Sequence, residues 1–419
     1  MKSKAERPLL RCSLFSAYAR IAFVLVLAFV PILFPIETPA QTFTVLYAFK
    51  GGGDGAFPRG GVVRDDAGNL YGTTEEGGSF NFGTVFKLDT VGVETVLHNF
   101  VGGSDGRYPE AGLLLDAQGN LYGTTRYGGT GSCFDGFALG CGTVYELDVN
   151  GTETVLHSFN GPDGKYPWAK LVKDSSGNLY GTTQQGGAFH VGTVFKLNTL
   201  GIVTVLHSFL GAPSDGAYPV AELLRDTSGN LYGTTEAGGS LGCRLAIGPR
   251  GCGIVFKLDP NGQEHILHSF ATFPSGMFPS AGLISDPAGN LYSTAGMGGT
   301  GGNGIVFRLD RVGNLSVLHS FTGTDVNGDG AQPYAKPVRD AAGNLYGTTW
   351  SGGEVPGAGT IFKIDRSGNE TVLFSFGTGN GDSGQNPAAG VILGSDGNLY
   401  GTTFEGGAHG SGTVFQFTP

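Results

Sequence analysis

The chain has 419 residues, more than one hydrophobic core of ordinary size organises, so its length predicts several domains or an array of repeats. Glycine accounts for 76 residues, which disfavours helices, whereas 40% hydrophobic residues exclude a low-complexity disordered chain. A formal net charge of −10 argues against electrostatic binding to nucleic acid or anionic lipid. The composition therefore predicts many short strands joined by tight turns.

The N-terminus predicts a secretory signal. Five basic residues precede an apolar run at positions 21–34, and Thr38-Pro39-Ala40 supplies small residues for cleavage. We therefore expect a signal peptide at 1–40 and a mature chain at 41–419 that is secreted, periplasmic or at the cell surface. The run contains Pro31 and is short for a bilayer span of about 20 residues, so no membrane span is expected in the mature chain. Retention of the segment as an uncleaved anchor is the alternative.

One string of residues recurs seven times. Asn-Leu-Tyr-Gly-Thr-Thr begins at Asn69, Asn120, Asn178, Asn230, Asn344 and Asn398, with a degenerate copy after Asn290. Each copy predicts four short strands, a to d, with turns of Asn, Asp and Gly between a and b and between c and d. The b–c connections are longer, rich in Gly and different in every copy.

The two ends of the repeat array are complementary. Thr44–Phe49 matches a strand d, and Thr413–Phe417 is a strand c with no strand d after it. The first strand would therefore complete the last repeat, as in a ring closed by strand exchange. The sequence predicts an all-β protein, a seven-bladed β-propeller of four-stranded blades with 28 strands.

The repeated motifs resemble a known family. They are D-x-x-G-N-L-Y-G-T-T at Asp116–Thr125, G-T-V-F-K-L at Gly192–Leu197 and T-V-L-H-S-F at Thr204–Phe209. Together they resemble the GloVer-type tandem repeat of large bacterial surface or secreted proteins described as having a choice of anchors. The resemblance implies export and a repeat architecture, and it implies no reaction or ligand.

Four cysteines lie in two long b–c loops. Cys133 and Cys141 share one loop, and Cys243 and Cys252 share the other, so we expect two local disulfides in an oxidising compartment. The alternative is a zinc site, but neither loop contains a His or a C-x-x-C pair.

Comparison of the seven copies separates scaffold from candidate site. A His recurs in strand d at His98, His157, His207, His268 and His319, but Tyr47 and Phe374 replace it in the other copies, which favours packing over a metal array. The repeated Thr pairs are expected to bond between neighbouring copies, and the repeated Asp of strand a to bond its own turn.

Strand a is predicted to line the central channel, and its first residues differ between copies. They combine mixed charges with two aromatic rings, and the candidate ligand-binding residues are Arg59, Glu110, Trp168, Lys170, Glu222, Tyr334 and Lys336. Such a rim could hold a small polar ligand such as a sugar. The alternative is a solvated rim without a ligand.

One loop resembles half of a calcium site. Asp325, Asn327 and Asp329 match the first half of a D-x-N-x-D-G loop, but Lys336 stands at the twelfth position, where an EF-hand needs Glu. Calcium is thus the one cofactor that the sequence suggests.

Three functions are compatible with these patterns. We expect an exported, non-catalytic binding or surface-interaction scaffold that is monomeric, with a glycan or a cell-surface protein as its ligand. The alternatives are an extracellular propeller enzyme acting on polysaccharide and a purely structural envelope component. Catalysis would need converging carboxyl groups, and at the rim only Glu110 and Glu222 are acidic candidates.

Overall fold

The structure is a computed structural model that describes residues 41–133, 140–243, 251–323, 328–378 and 381–419. Seven antiparallel four-stranded sheets form the blades of a ring, which confirms the predicted seven-bladed β-propeller. No helix within these ranges is both long and apolar enough to cross a membrane.

The strands are short, and their bounds repeat from blade to blade. In the order a, b, c, d they are Val62–Arg64, Leu70–Thr74, Thr84–Leu88 and Glu94–Asn99 in blade 1; Leu114–Leu115, Leu121–Thr125, Thr143–Leu147 and Glu153–Ser158 in blade 2; Val172–Lys173, Leu179–Thr183, Thr193–Leu197 and Val203–Ser208 in blade 3; Leu224–Arg225, Leu231–Thr235, Ile254–Leu258 and Glu264–Ser269 in blade 4; Ile284–Ser285, Leu291–Ala295, Ile305–Leu309 and Leu315–Ser320 in blade 5; Val338–Arg339, Leu345–Thr349, Thr360–Ile364 and Glu370–Ser375 in blade 6; and Ile392–Leu393, Leu399–Thr403, Thr413–Thr418 and Thr42–Ala48 in blade 7. A short extra pair, Gly216–Ala217 with Ala237–Gly238, and a 3₁₀ turn at Phe273–Ser275 lie in loops.

Blade 7 closes the ring. Its outermost strand is the N-terminal Thr42–Ala48, which pairs antiparallel with Thr413–Thr418, so that Thr42 faces Thr418 and Ala48 faces Thr413. The exchange of strands between the two ends of the array is therefore confirmed.

Aromatic pairs fill the interfaces between blades. The Phe that follows strand d meets an aromatic ring of strand c in the next blade, with centroids 5.1–5.4 Å apart and edges against faces. The seven pairs are Phe49–Phe86, Phe100–Tyr145, Phe159–Phe195, Phe209–Phe256, Phe270–Phe307, Phe321–Phe362 and Phe376–Phe415. All fourteen aromatic side chains are 0% exposed. Each interface between neighbouring blades therefore contains one fully buried aromatic pair.

The repeated polar residues hold turns and blades. Asp65 accepts hydrogen bonds from the Asn69 backbone N–H and the Tyr71 hydroxyl, as expected for a residue that fixes its own turn. The first Thr of a pair can bond the next blade: Thr73 donates to Ala111 O, in the segment that leads into strand a of blade 2, at 3.0 Å. The second Thr differs from expectation, because Thr74 bonds Thr84 within its own blade.

The segments that lead into strand a approach each other closely in adjacent blades. A Cβ added to Gly60 would lie 2.4 Å from the carbonyl group of Ala111. This contact explains why blade 1 has Gly at the second residue after the Pro, where the other six blades have Ala.

Candidate functional site

The entrance to the channel is built on a strained backbone position. In every blade the residue before the Pro that leads into strand a has a positive φ of 56–59°, which bulky residues rarely adopt. These residues are Phe57, Tyr108, Tyr166, Tyr218, Phe278, Gln332 and Asn386. In blade 2, the Tyr108 N–H donates to Phe82 O of the preceding blade, and its carbonyl accepts from Arg126 N–H. Two backbone bonds thus maintain the strained conformation.

The second of these bonds brings two sets of variable residues together. We define the entrance ring as the residues directly after the Pro, which are Arg59, Glu110, Trp168, Val220, Ser280, Tyr334 and Ala388. We define the loop ring as the residues directly after the Thr pair or its equivalent, which are Glu75, Arg126, Gln184, Glu236, Gly296, Trp350 and Phe404. In each blade the loop-ring N–H donates to the carbonyl of the strained residue. The two rings are therefore adjacent on the face that carries the d–a and b–c loops.

A third set lies two residues further along strand a. We call it the inner ring, and it comprises Gly61, Gly112, Lys170, Glu222, Gly282, Lys336 and Gly390. Four glycines leave room that the three long charged side chains enter: a Cβ on Gly282 would lie 2.7 Å from Glu222 Cγ and 3.3 Å from Lys336 Cδ.

The rings enclose a cavity of about 540 Å³ at the channel entrance. All seven candidate residues identified from the sequence line it, together with Glu236 and Trp350 of the loop ring. The volume is in the range of small-molecule sites.

Blades 1 to 3 contribute a network of charges around one indole. Arg59 bonds Glu75 at 3.0 Å, and Arg126 bonds Glu110 at 3.0 Å. The guanidinium carbon of Arg126 lies 4.2 Å from the centroid of the Trp168 ring, and that of Arg59 lies 5.3 Å from it. Glu110 is only 3% exposed, and its Oε1 orients the Arg126 guanidinium.

Blades 3 to 6 contribute the inner charges. Lys336 pairs with Glu222, so the second acidic candidate is also neutralised. Lys170 has no ion-pair or hydrogen-bond partner among the described residues, and burial lowers the pKa of its amine to about 8. Burial raises the pKa of the Glu236 carboxyl to about 7. Burial and the nearby charge of Glu236 raise the pKa of the Tyr334 hydroxyl.

Three residues of this site were not identified from the sequence: Arg126, Glu236 and Trp350. All three follow the Thr pair of strand b and so begin the b–c connections, which the sequence analysis treated as variable loops without identifying individual residues. The available signal was that the residue after Thr-Thr varies between copies, with six residue types at seven positions, although the pair before it is repeated.

The other predicted residues lie elsewhere. Disulfides join Cys133 to Cys141 and Cys243 to Cys252, each with 5.2 Å between Cα atoms, as expected. Asp325 and Asn327 of the calcium hypothesis lie outside the described residues. The third, Asp329, accepts hydrogen bonds from the backbone N–H groups of Thr322 and Gly323, so its carboxylate already has partners.

Fold and cavity together define a seven-bladed β-propeller with an aromatic and charged entrance cavity. The chain belongs to the Gloeobacter/Verrucomicrobia repeat family, which it matches over residues 31–244, 131–324 and 241–419. No curated protein matches its sequence.

Solved structures share the fold at low identity. The extracellular domain of a protein assigned as a one-component system from B. thetaiotaomicron is 9% identical, with a TM-score of 0.55 over 89% of this chain and 39% of that chain. The match thus spans about 39% of the length of that extracellular domain. A Bacteroides uniformis protein assigned as a 6-phosphogluconolactonase is 17% identical, with a TM-score of 0.50 over 80% and 88% of the two chains. At these identities the similarity shows the fold alone.

Proposed function

We propose that this protein is an exported binding protein that holds a carbohydrate in the entrance cavity, with an acidic group of the sugar beside Lys170. Two disulfides and the basic, apolar N-terminal segment support export. The observation that carries the binding role is the placement of three aromatic rings, Trp168, Tyr334 and Trp350, on one cavity with fixed charged groups.

The chemistry of the cavity suits a sugar. Aromatic faces pack against the apolar C–H faces of a pyranose ring, while paired carboxylates and guanidinium groups offer hydrogen-bond acceptors and donors to its hydroxyls. Positions that vary between blades make the cavity asymmetric, which suits a ligand without seven-fold symmetry.

The charge balance favours an acidic sugar. Arg59 and Arg126 are paired with Glu75 and Glu110, and Lys336 is paired with Glu222. Among the described residues of the cavity, Lys170 is therefore the cation that is left for a ligand. A carboxylate placed beside it would gain a charge-assisted hydrogen bond in a setting shielded from water.

The test compares oligogalacturonate with the matched neutral oligogalactose by titration calorimetry on the mature protein. We expect tighter binding of the acidic oligomer, and loss of that preference in Lys170→Met. Lys50→Met is the control, because Lys50 is exposed and lies outside the cavity. Absence of binding for both oligomers and across a glycan array would reject the carbohydrate role.

An enzyme is the second candidate, and Glu236 is the observation in its favour. A recessed carboxyl group with a pKa of about 7 is suited to act as a general acid near neutral pH. If the protein is an enzyme, a bound oligomer should be cleaved over hours by the wild-type protein, and Glu236→Gln should bind it without cleaving it. An unchanged oligomer after prolonged incubation supports the binding role instead.

A further inference from the structure

Two clusters of the same composition lie at interfaces between blades, away from the cavity. Cluster 1 is His98, Asp105 and Glu153, and cluster 2 is His207, Asp215 and Glu264. In each, the His is in strand d, the Asp is in the loop that leads to the next blade, and the Glu begins strand d of that next blade. Within each cluster one nitrogen and two carboxylate oxygens lie within 4.8 Å of one another.

The separations between these atoms suit a chelated ion. His98 Nε2 lies 3.2 Å from Asp105 Oδ1, and His207 Nε2 lies 3.1 Å from Asp215 Oδ2 and 3.8 Å from Glu264 Oε2. Zinc bonds to nitrogen and oxygen ligands are about 2.0–2.2 Å, which places tetrahedral donors about 3.3–3.5 Å apart. Small side-chain adjustments would therefore suffice to form the bonds.

Neighbouring groups hold the first two ligands in position. Asp105 Oδ2 accepts a hydrogen bond from Val101 N–H at 2.6 Å, and the His98 ring packs edge to face on Phe100. In cluster 2, Leu210 N–H donates to Asp215 at 2.8 Å, and His207 packs on Phe209. Such supporting contacts orient metal ligands before the ion binds.

In each cluster the Glu has a carboxylate oxygen without a hydrogen-bond partner among the described residues. Oε1 of Glu153 and Oε1 of Glu264 are buried, and no described group forms a hydrogen bond with either atom. Each Glu also lies beside the Asp carboxylate of its cluster. Two carboxylates held together this way need a proton or a cation between them.

Two other interfaces help to define the set. Between blades 5 and 6 the same residue types recur as His319, Asp329 and Glu370, but among the described residues their donor atoms do not all lie within 4.8 Å of one another. His157 bonds Asp163 at 2.8 Å between blades 2 and 3, but Val203 stands where the Glu would be. The His–Asp pair therefore occurs without the Glu, and the Glu is an addition that the scaffold does not require.

We propose that clusters 1 and 2 each bind one Zn²⁺ through the His Nε2 and two carboxylates, with water as the fourth ligand. A nitrogen donor favours Zn²⁺ over Ca²⁺, which prefers an all-oxygen shell. Each ion would join one blade to the next, blade 1 to blade 2 and blade 3 to blade 4.

The experiment uses mature protein without a polyhistidine tag, stripped with a chelator and then dialysed against micromolar ZnCl₂. Elemental analysis should find two Zn²⁺ per chain that Glu153→Gln and Glu264→Gln remove one at a time. These substitutions keep the shape of the side chain, so folding is preserved. His157→Ala is the matched control and should leave the count unchanged, whereas Val203→Glu should raise it by one.

Zinc should also raise the melting temperature of the wild-type protein and not that of the Glu153→Gln/Glu264→Gln double variant. Protein that retains no zinc, or zinc that stays bound in the double variant, overturns the proposal. The first result would show that the glutamates are protonated and bond the aspartates directly. The second would show that zinc binds elsewhere.

Discussion

Arg126 and Trp168 join two neighbouring blades at the channel entrance. The guanidinium carbon of Arg126, which follows strand b of blade 2, lies 4.2 Å from the centroid of the indole, which precedes strand a of blade 3. The buried carboxylate of Glu110 bonds the same guanidinium at 3.0 Å. A carboxylate, a cation and an aromatic ring thus stack in sequence, and the position of the indole depends on both partners.

The first prediction concerns this indole. Trp168→Ala should weaken binding of the oligogalacturonate probe at least tenfold, because an aromatic contact contributes about 1–2 kcal/mol and Arg126 also loses its support. Calorimetry on the purified variant measures the change. His157→Ala is the control: its ring packs on Phe159 outside the cavity, so stability should fall while affinity stays the same. The opposite pattern would place the binding face elsewhere.

The second prediction concerns Lys170 and pH. At pH 7 its amine is charged in both the folded and the unfolded chain, and burial of that charge costs stability, as the lowered pKa of about 8 indicates. Lys170→Met should therefore raise the free energy of unfolding at pH 7 by about 1–3 kcal/mol.

This advantage should shrink between pH 8 and 10.5, because the folded wild-type chain loses the proton there before the unfolded chain does. Urea denaturation at pH 7 and at pH 10.5 measures both values. Lys50→Met should show no such dependence. A gain that stays the same at both pH values would mean that the charge of Lys170 is not the cause.

The third prediction tests closure of the ring. Phe43 in the N-terminal strand stacks on Phe374 of blade 6, with centroids 3.9 Å apart, and also contacts Phe415. Phe43→Ala should lower the free energy of unfolding by about 2–3 kcal/mol. Phe189→Ala should change it little, since Phe189 is 50% exposed.

Deletion of residues 41–50 should have a much larger effect than either substitution, because blade 7 would lose its outer strand. The deleted protein should unfold or self-associate, as measured by thermal melts and light scattering. A monomer that melts at the wild-type temperature would contradict the closed ring.

The fourth prediction concerns the disulfides. Cys133 and Cys141 belong to the buried cluster that contains Phe159, so their bond anchors a long loop to an interface between blades. Replacing both by Ser should destabilise the protein by about 2–3 kcal/mol, as expected for a closed loop of this length. Non-reducing peptide mapping should recover the Cys133–Cys141 and Cys243–Cys252 linkages. Four free thiols in the exported protein would contradict both pairings.

The repeat made the fold predictable. Thr44–Phe49 matches a strand d, and Thr413–Phe417 is a strand c that no strand d follows. Pairing the two gives seven complete blades, which predicted a closed ring. Residues such as Arg59 and Trp168 could be identified because they occupy positions that vary between copies. Positions that are needed for packing or turns carry similar residues in all copies.

Contacts between blades were harder to predict. The Arg126–Trp168 pair depends on how far one blade is rotated against the next, and a repeat written along the chain does not contain that angle. The histidines of strand d were assigned to packing, and their contacts with Phe support that assignment. The Asp and Glu beside them were overlooked, because the Glu belongs to the next copy of the repeat.

The exchange of strands in blade 7 also has a consequence for the order of folding. Blades 1 to 6 each assemble from strands that are close in sequence, so they can form as the chain is made. Of the strands that form the blades, Thr42–Ala48 is synthesised before all the others, and its partner Thr413–Thr418 is synthesised after them. Until then a strand with Phe43, Val45 and Tyr47 has an unpaired edge, the kind of segment that recruits other chains. Pairing with Thr413–Thr418 therefore also covers an edge through which this chain could associate with others.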